Sequence, residues 1–533
     1  MSRSPQLIVA TAAAVAASLS MFHLASGQSG ERQLGRVHFE TSCTPAAQAL
    51  FNRAMLYQHS FWYRASQRTF GQVLNVDPSC GIAYWGAALS LLFNPHTVTP
   101  AKNLAEGAAA LEKAASIGAK TERERGYIAA LGAWYQDHDK VDHRTRVQNY
   151  AKAMEQLAQR YPDDDEGQIL YALALNVSAS PADKTYANQL KGAAILEKIV
   201  LRQPEHPGVT HYLIHLYDYP AIAEKGLDAA RRYAKIAPDA AHALHMPSHI
   251  FTRVGYWKDS IASNTAAARV AKEGKELHEQ LHTMDYRVYA HLQLAQDKEA
   301  LAVMDEMLTV AGLADTQLAG PYGLAASPAR YSVERGDWQR AAQVEVRPST
   351  FAHVQAVSHF ARALGAARSG NPGAARADLA KLEQLAGQLR EKKDAYWSEQ
   401  VEIQRQVALA WTLEAEGKRE EALSTLREAA DVEDRTEKHP VTPGPLAPAR
   451  ELYGQMLLER GMATDALVAF EATLKKEPNR LGAYVGAARA ADKSGNQGKA
   501  RQYYAKVAEL SAEADLARAD VVEARAFLAA SKR

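Results

Sequence analysis

The sequence is poor in the residues that mark several classes of protein. It has two cysteines among 533 residues, which is too few for a disulfide framework or a cysteine-rich zinc module. Its 32 glycines and 21 prolines make up about a tenth of the chain, which excludes collagen-like and low-complexity proteins. Neither sign of charge dominates, because the sequence has 62 Lys and Arg and 61 Asp and Glu, which gives a net charge of +1. We therefore expect no nucleic-acid partner and no polybasic membrane-surface role.

The composition is otherwise that of a globular chain. Hydrophobic residues make up 47% and aromatic residues 8%, which is enough for a sizeable core and argues against wholesale disorder. The sequence contains no P-loop, no G-x-G-x-x-G and no G-x-S-x-G motif. We therefore expect no nucleotide cofactor.

The most apolar stretch lies at the N-terminus. Met1–Gln6 carries one side-chain positive charge, Leu7–Ala25 is apolar or small except for one histidine, and Ser26 and Gly27 follow. This order predicts a signal peptide over residues 1–27 that is removed on export. The alternative is a membrane anchor, because the stretch is nearly long enough to span a bilayer. In either case we expect the mature chain to lie outside the cytoplasm. With cleavage, which we favour, we expect a periplasmic or secreted protein without a membrane span.

Similar segments recur along the chain with a period of about 34 residues. In the segment that ends at Pro478, a small residue at Gly454 is followed by Ala466 and Phe470. Related spacings of small residues, aromatics and turn residues recur over Leu50–Pro78, Thr210–Pro238, Gln406–Ala429 and Leu481–Ala505. The pattern predicts a helix, a tight turn and a second helix, with aromatic side chains filling the groove between helices.

These segments resemble the tetratricopeptide repeat (TPR) family over most of residues 45–515. The resemblance implies an all-α fold, a right-handed α-solenoid of about eight to twelve helical hairpins, whose concave groove binds a peptide, protein or small ligand. After the signal peptide we expect an N-terminal segment, N-terminal hairpins, central histidine-rich repeats, irregular hairpins, C-terminal repeats and a C-terminal tail, over residues 28–44, 45–200, 201–310, 311–438, 439–515 and 516–533.

The two cysteines fit an exported helical hairpin. An oxidising compartment permits a disulfide between Cys43 and Cys80. Because the chain returns on itself in a hairpin, the start of the first helix lies near the end of the second. We expect such a bridge to contribute about 4 kcal/mol of stability in the chain-entropy description.

Histidine is concentrated in one part of the chain. Nine of the 18 lie within residues 206–291. His211 and His215 are four residues apart and share a helix face, and so do His245 and His249. The second pair follows the first by one repeat length, so the pairs occupy equivalent positions on consecutive repeats. Since neighbouring helices pack about 8–10 Å apart, the imidazoles can converge in one concavity.

The resemblance extends this set. In TPR proteins the second, fifth and ninth positions of a repeat face the groove. The two pairs take the fifth and ninth positions, His242 takes a second position, and the next first helix places His282, Asp285 and Tyr289 there. Neutral imidazole is the commonest metal ligand, and a set of His and Asp without thiolate suits Zn, Cu or Fe.

We therefore predict a transition-metal site in the groove. Its main ligands are His211, His215, His245 and His249, with His242, His282 and Asp285 in reserve. The alternative is that the histidines line a groove for a peptide or protein. Pro247 weakens the prediction that His245 and His249 share a helix face. A proline between them either kinks the helix or makes a helix start there.

A second motif points to an enzyme. His278-Glu279-Gln280-Leu281-His282 matches the zinc peptidase pattern H-E-x-x-H, but Asp285 stands where the metzincin continuation needs glycine. The alternative function is thus a metal-dependent hydrolase or oxidase in the same groove. Its candidate acid–base groups are Glu279, Asp285 and Tyr289.

Three segments also look like those of exported bacterial TPR proteins. They are His211–His215, His245–Ile250 and His439–Gly444. This resemblance implies no particular activity. The main expectation is an exported TPR scaffold that binds a ligand in its groove and holds a transition metal there.

Overall fold

Helices follow one another through short turns along the chain, as the repeat pattern predicts. The computed structural model of the protein describes Met1 and residues 32–530, so the predicted signal peptide, apart from Met1, lies outside the described residues. Within the described part the chain is all-α and contains no strand. Gln33–Arg533 forms one compact unit. The predicted all-α fold of successive helical hairpins is confirmed.

The helices vary from five to twenty-one residues in length. The first eight are α1 (Pro45–His59), α2 (Tyr63–Val76), α3 (Gly81–Leu91), α4 (Ala101–Ile117), α5 (Glu122–Tyr135), α6 (His143–Arg160), α7 (Asp165–Ser178) and α8 (Ala187–Ile199). The central ones are α9 (Pro207–Tyr217), α10 (Leu227–Ile236), α11 (Ala241–His245), α12 (Pro247–Arg253), α13 (Trp257–Glu273), α14 (Leu277–Gln293), α15 (Asp297–Leu308), α16 (Ala319–Glu334) and α17 (Trp338–Ala342), with a 3-10 turn at Ala223–Gly226 before α10. The last are α18 (Ala352–Arg368), α19 (Pro372–Glu391), α20 (Ala395–Ala415), α21 (Arg419–Asp434), α22 (Ala449–Glu459), α23 (Ala463–Lys476), α24 (Leu481–Lys493), α25 (Gln497–Leu510) and α26 (Ala519–Ala530).

The helices of residues 32–530 pair into twelve hairpins followed by α26. The short helices α11 and α12 together form the first helix of the sixth hairpin. Tight turns join the partners. For example, Gly461 between α22 and α23 has a φ of 78°, a left-handed conformation that glycine adopts without strain. Residues 311–438, where the repeat pattern is weakest, still form three hairpins. Their irregular backbone lies after α15, after α17 and after α21.

Small residues and aromatics pack between neighbouring hairpins in a repeated way. A Cβ atom on Gly86 of α3 would lie 2.2 Å from the ring of Phe70 of α2. A Cβ atom on Gly486 of α24 would lie 2.2 Å from the ring of Phe470 of α23. Both rings are fully buried. The same kind of glycine–aromatic contact therefore recurs in the first and last parts of the array. It agrees with the sequence pattern, which places aromatic side chains in the groove between helices.

The C-terminal hairpins pack back on the central ones. The indole Nε1–H of Trp257 in α13 donates to the backbone oxygen of Asn479 over 2.8 Å. The backbone N–H of Leu481 donates to the side chain of Gln293 in α14 over 2.9 Å. The array thus curls until α24 meets α14. Residues 435–448, between α21 and α22, then cross the central helices, and we call them the crossing segment.

The N-terminal hairpin carries the two cysteines. Cys43, just before α1, and Cys80, just before α3, form a disulfide, and their Cα atoms are 5.1 Å apart. Of the helices that the structure describes, none combines the length and the apolarity needed to cross a membrane.

Candidate metal centre

The first histidine cluster, cluster A, consists of His211, His215 and His242. The first two lie one turn apart on α9, and the third comes from α11. One ring nitrogen of each lies within 4.8 Å of the others, and the Nε2 atoms of His211 and His215 are 3.1 Å apart. Helix α9 is buried on all sides, so the cluster lies inside the protein.

The second cluster, cluster B, consists of His245, His249 and His282, again within 4.8 Å of one another. Pro247 has no N–H to continue α11, so the helix is interrupted at Met246 and α12 begins at the proline. Met246 nevertheless keeps right-handed helical dihedral angles, φ −52° and ψ −37°. The pair on either side of the break therefore remains on one face, and its Nε2 atoms are 3.0 Å apart.

The structure thus divides the four main predicted ligands between two clusters. Each cluster is completed by a histidine that the sequence predicted in reserve, His242 in cluster A and His282 in cluster B. The four main predicted ligands are therefore not grouped around one point, as a single ion bound by all four would require.

Hydrogen bonds determine the tautomers in cluster B. The amide nitrogen of Asn264 donates to the backbone oxygen of Ser260, so its Oδ1 accepts from Nδ1–H of His245 over 2.6 Å. The carboxylate of Asp218 accepts from Nδ1–H of His249 over 2.9 Å. Each of the two imidazoles therefore carries its hydrogen on Nδ1. Their Nε2 lone pairs face each other across 3.0 Å, which is not a hydrogen bond between neutral rings.

In cluster A, two of the three histidines are oriented in the same manner. The backbone oxygen of His59 accepts from Nδ1–H of His211 over 2.7 Å. A carboxylate oxygen of Glu279 accepts from Nδ1–H of His242 over 3.2 Å. The buried Nε2 of His242 makes no hydrogen bond within the described residues. Backbone carbonyls and carboxylates in these positions are the usual outer partners of metal-ligating histidines.

A third group offers a contrast. Cluster C consists of His59, Glu166 and His206, whose ligand atoms also lie within 4.8 Å of one another. The Glu166 carboxylate accepts from Nε2–H of both histidines over 3.0 and 2.9 Å. Nδ1 of His59 accepts from the hydroxyl of Tyr212, and Nδ1 of His206 accepts from the backbone N–H of Val209. Every ring nitrogen has a partner, so cluster C is a hydrogen-bonded network complete without an ion.

Burial favours the neutral form of five of the six imidazoles in clusters A and B. Burial lowers the pKa of His282 to about 3. It also lowers the pKa of four other cluster histidines below the ordinary value of 6.5, namely His211, His215, His245 and His249. Around cluster B, burial alone would raise the pKa of Asp218, but the nearby Lys438 and Arg253 hold it below its ordinary value. These five histidines are thus in the form that binds metals, and the carboxylate beside cluster B is ionised.

Three aromatic side chains that the repeat pattern does not mark enclose the clusters. The ring of Phe61, a residue with φ of 56°, is 4.3 Å from that of His211 between centroids. His96, from the loop after α3, lies 4.9 Å from His215. Tyr286 of α14 lies 4.8 Å from His245, and its hydroxyl donates to the backbone of the crossing segment.

These side chains, and the outer partner Asn264, have no shared spacing, so no sequence signal identifies them. Asp218, the outer partner of His249, does have a signal in the sequence. It follows His215 by three residues, at the end of the same helix, and that spacing is detectable in the sequence.

The remaining predicted residues lie outside both clusters. Asp285 faces Ser327, whose hydroxyl donates to it over 3.2 Å, and Arg330 at 3.7 Å. The hydroxyl of Tyr289 accepts from Arg480. His278, the first residue of the H-E-x-x-H pattern, lies against Gly320. Of the three candidate acid–base groups, Glu279 alone contacts a cluster histidine in the described structure.

Sequence comparison finds no matching protein-family model and no matching curated protein. Among solved structures, the chain is similar to the APC/C hetero-tetramer Cut9–Hcn1, with 11% identity, 91% of this chain and 95% of that chain covered, and a TM-score of 0.30. It is also similar to the human IFIT1 dimer with m7Gppp-AAAA, with 13% identity, 81% and 90% covered, and a TM-score of 0.33. Both are TPR-type helical-repeat proteins.

Proposed function

We propose that this chain is an exported helical-repeat protein that binds a transition metal through clusters A and B. The observation that carries the proposal is the pair of Nε2 lone pairs of His245 and His249, which face each other at 3.0 Å while both Nδ1–H groups are engaged elsewhere. Two lone pairs at this distance repel unless a cation lies between or beside them. A proton is disfavoured there, because burial lowers the pKa of both residues.

The spacing suits a metal ion. Two nitrogen ligands of one tetrahedral ion lie about 3.3 Å apart when each metal–nitrogen bond is about 2.05 Å. The corresponding separations are 3.1 Å in cluster A and 3.0 Å in cluster B. Imidazole donors without thiolate favour Zn, Cu or Fe. The oriented Nδ1 atoms provide the outer hydrogen bonds that such sites use to hold their ligands in place.

Burial favours a small ligand over a peptide at this site. Five of the six histidines are at most 7% exposed, and the side chain of His242 is 18% exposed. The crossing segment lies over them, since Tyr286 donates to the backbone oxygens of Pro440 and Thr442. A polypeptide in the groove would contact the outside of this segment, whereas an ion or a small molecule can reach the imidazoles.

An enzyme built on the same site is the second candidate. Each cluster supplies three histidines, and a three-ligand metal keeps a position for water or substrate. That arrangement favours a metal-dependent hydrolase or oxidase over a purely structural site. Glu279 is the acid–base candidate that the geometry supports, because it alone of the three contacts a cluster.

Metal analysis of the purified protein tests the proposal. We would compare the untagged wild-type chain from the periplasm with a His211→Ala/His245→Ala double variant. His278→Ala is the matched control, because it removes a histidine from the same helix as His282 but outside both clusters. We expect near-stoichiometric metal in the wild type and the control, and loss in the double variant.

Two further readings complete this test. Circular dichroism should show that all three proteins keep their helical content. A wild-type protein that carries no metal and takes up no Zn, Cu or Fe on reconstitution would disprove the proposal. Export has its own readout, because the mass of the mature periplasmic chain should correspond to cleavage near residue 27.

A further inference from the structure

Clusters A and B lie side by side as one group of six imidazoles. The ring centroids of His215 and His249, one from each cluster, are 5.9 Å apart, and those of His242 and His245 are 6.0 Å apart. Within cluster B itself, the rings of His249 and His282 are 6.4 Å apart. The distance between the clusters is therefore no larger than the distance between two members of one cluster.

Each cluster also lacks a fourth protein ligand. In the part of the chain that the structure describes, the groups of His, Cys, Asp and Glu that could hold an ion contain three residues each. An ion with three protein ligands keeps an open coordination position. Two adjacent ions would thus have two open positions in a shared, enclosed space.

The described side chains around the clusters supply no net negative charge that would compensate the positive charge of bound metal ions. The six donors are imidazoles, which carry no negative charge, and the carboxylates hydrogen-bonded to them are those of Glu279 and Asp218. Asp218 already pairs with Arg253 at 2.8 Å and Lys438 at 3.1 Å, both nearly fully buried. These two cations offset the two carboxylates. Divalent ions would therefore add net positive charge to a buried region, where it is costly without a counter-ion.

We propose that clusters A and B form a single dinuclear centre, which holds two transition-metal ions and takes a small external anion, of the size of hydroxide or azide, as a bridging ligand. The anion fills the open positions and supplies the missing negative charge. Metal pairs with such a bridge are typically about 3.5–4 Å apart. The inference rests on the proposed function, because it requires metal in both clusters.

Copper loading with azide as the anion tests the inference. The untagged full-length protein is loaded with Cu(II), freed of excess metal and examined by elemental analysis and electron paramagnetic resonance (EPR). We expect about two copper ions per chain and an EPR signal that integrates to much less copper than is present, because bridged Cu(II) ions couple magnetically. Azide should shift the spectrum.

Single-cluster variants provide the comparison. His242→Gln impairs cluster A and His282→Gln impairs cluster B, and each should retain about half the copper with an EPR signal that accounts for all of it. His278→Ala is the matched control and should behave as the wild type does. The wild-type measurement decides the question even where a variant folds poorly.

The outcomes separate the two proposals. One copper per chain with a full signal would overturn the dinuclear centre and leave the metal-binding function standing. Two coppers with full, independent signals that azide leaves unchanged would overturn it too. A wild-type protein that retains neither copper nor zinc nor iron would remove the proposed function itself.

Discussion

Lys438 donates a hydrogen bond to Asp218 over 3.1 Å, although the two residues are 220 positions apart in the chain. The same carboxylate accepts from His249 and from Arg253. It therefore orients a histidine of cluster B and at the same time fastens the crossing segment to the central hairpins. One side chain thus links the candidate centre to the crossing segment.

Asp218→Asn should weaken both stability and metal binding. Asparagine keeps the size of the side chain and can still accept from His249, but it leaves Arg253 and Lys438 buried without a counter-charge. Removing one partner of a buried ion pair typically costs about 3–5 kcal/mol. Loss of an outer partner typically lowers metal affinity about 10–100-fold. Urea unfolding and metal titration measure the two effects.

The control for that experiment is Asp228→Asn. Asp228 is exposed on α10 and pairs with Arg232 on the same helix, so its loss should change stability by about 0.5 kcal/mol or less. Equal behaviour of the two variants would show that Asp218 has no special role.

Glu166→Gln should destabilise the fold without removing metal. The Glu166 carboxylate accepts hydrogen bonds from the buried Nε2–H groups of His59 and His206. An amide group in its place has one oxygen to accept and one NH2 group, so one of the two donors loses its acceptor. We expect a loss of about 2–4 kcal/mol with the metal content retained. Loss of metal together with stability would show that cluster C belongs to the metal site.

The pH dependence of that loss has a defined sign. Burial opposes ionisation of Glu166, but His59 and His206 hold its pKa well below the ordinary value of 4.5. A depressed folded pKa means that the carboxylate stabilises the fold fully above about pH 4.5, and that this stability is lost as the pH falls further. The difference in unfolding free energy between wild type and variant should therefore shrink below pH 4.5.

Asp285 should produce the opposite trend. Burial raises its pKa from 3.8 to about 6, although Arg330 and Ser327 lower it in part. Because the folded pKa is the higher one, ionisation costs stability as the pH rises from about 4 to 6, by at most about 3 kcal/mol. In Asp285→Asn this decline should disappear. Unfolding measured from pH 4 to 7.5 checks it, with the exposed Asp305→Asn as control; an unchanged profile would contradict the assignment.

Reduction of the disulfide should destabilise the N-terminal hairpin. Cys43 and Cys80 are 37 positions apart, and closing a loop of this length contributes about 4 kcal/mol in the chain-entropy description. A Cys43→Ala/Cys80→Ala variant should unfold at lower denaturant concentration and become insensitive to dithiothreitol. A wild-type protein that responds to dithiothreitol no more than the variant does would disprove a stabilising bridge.

Much of the fold follows from local patterns. The spacing of Gly454, Phe470 and Pro478 predicts the C-terminal hairpin, because small residues and aromatics at helical intervals determine which faces can pack. The confirmed all-α fold rests on such nearest-neighbour contacts, which a periodic sequence repeats along the chain.

The centre depends on contacts that no local pattern encodes. The spacing of His211 with His215, and of His245 with His249, identified two pairs on helix faces. Whether those pairs converge on one ion depends on the angle between hairpins, and the third histidine of each cluster comes from a different helix. The outer partners include a backbone oxygen 152 positions away from the histidine it orients.

The sequence by itself determined the helical hairpins, their turns and the two pairs of histidines, because these depend on residues within one repeat length. The tertiary structure decided that the six histidines form two adjacent clusters, that Asp285 and Tyr289 lie elsewhere, and that the crossing segment encloses the site. The physical reason is that small rotations between successive hairpins accumulate over the array, and their sum brings distant side chains into contact.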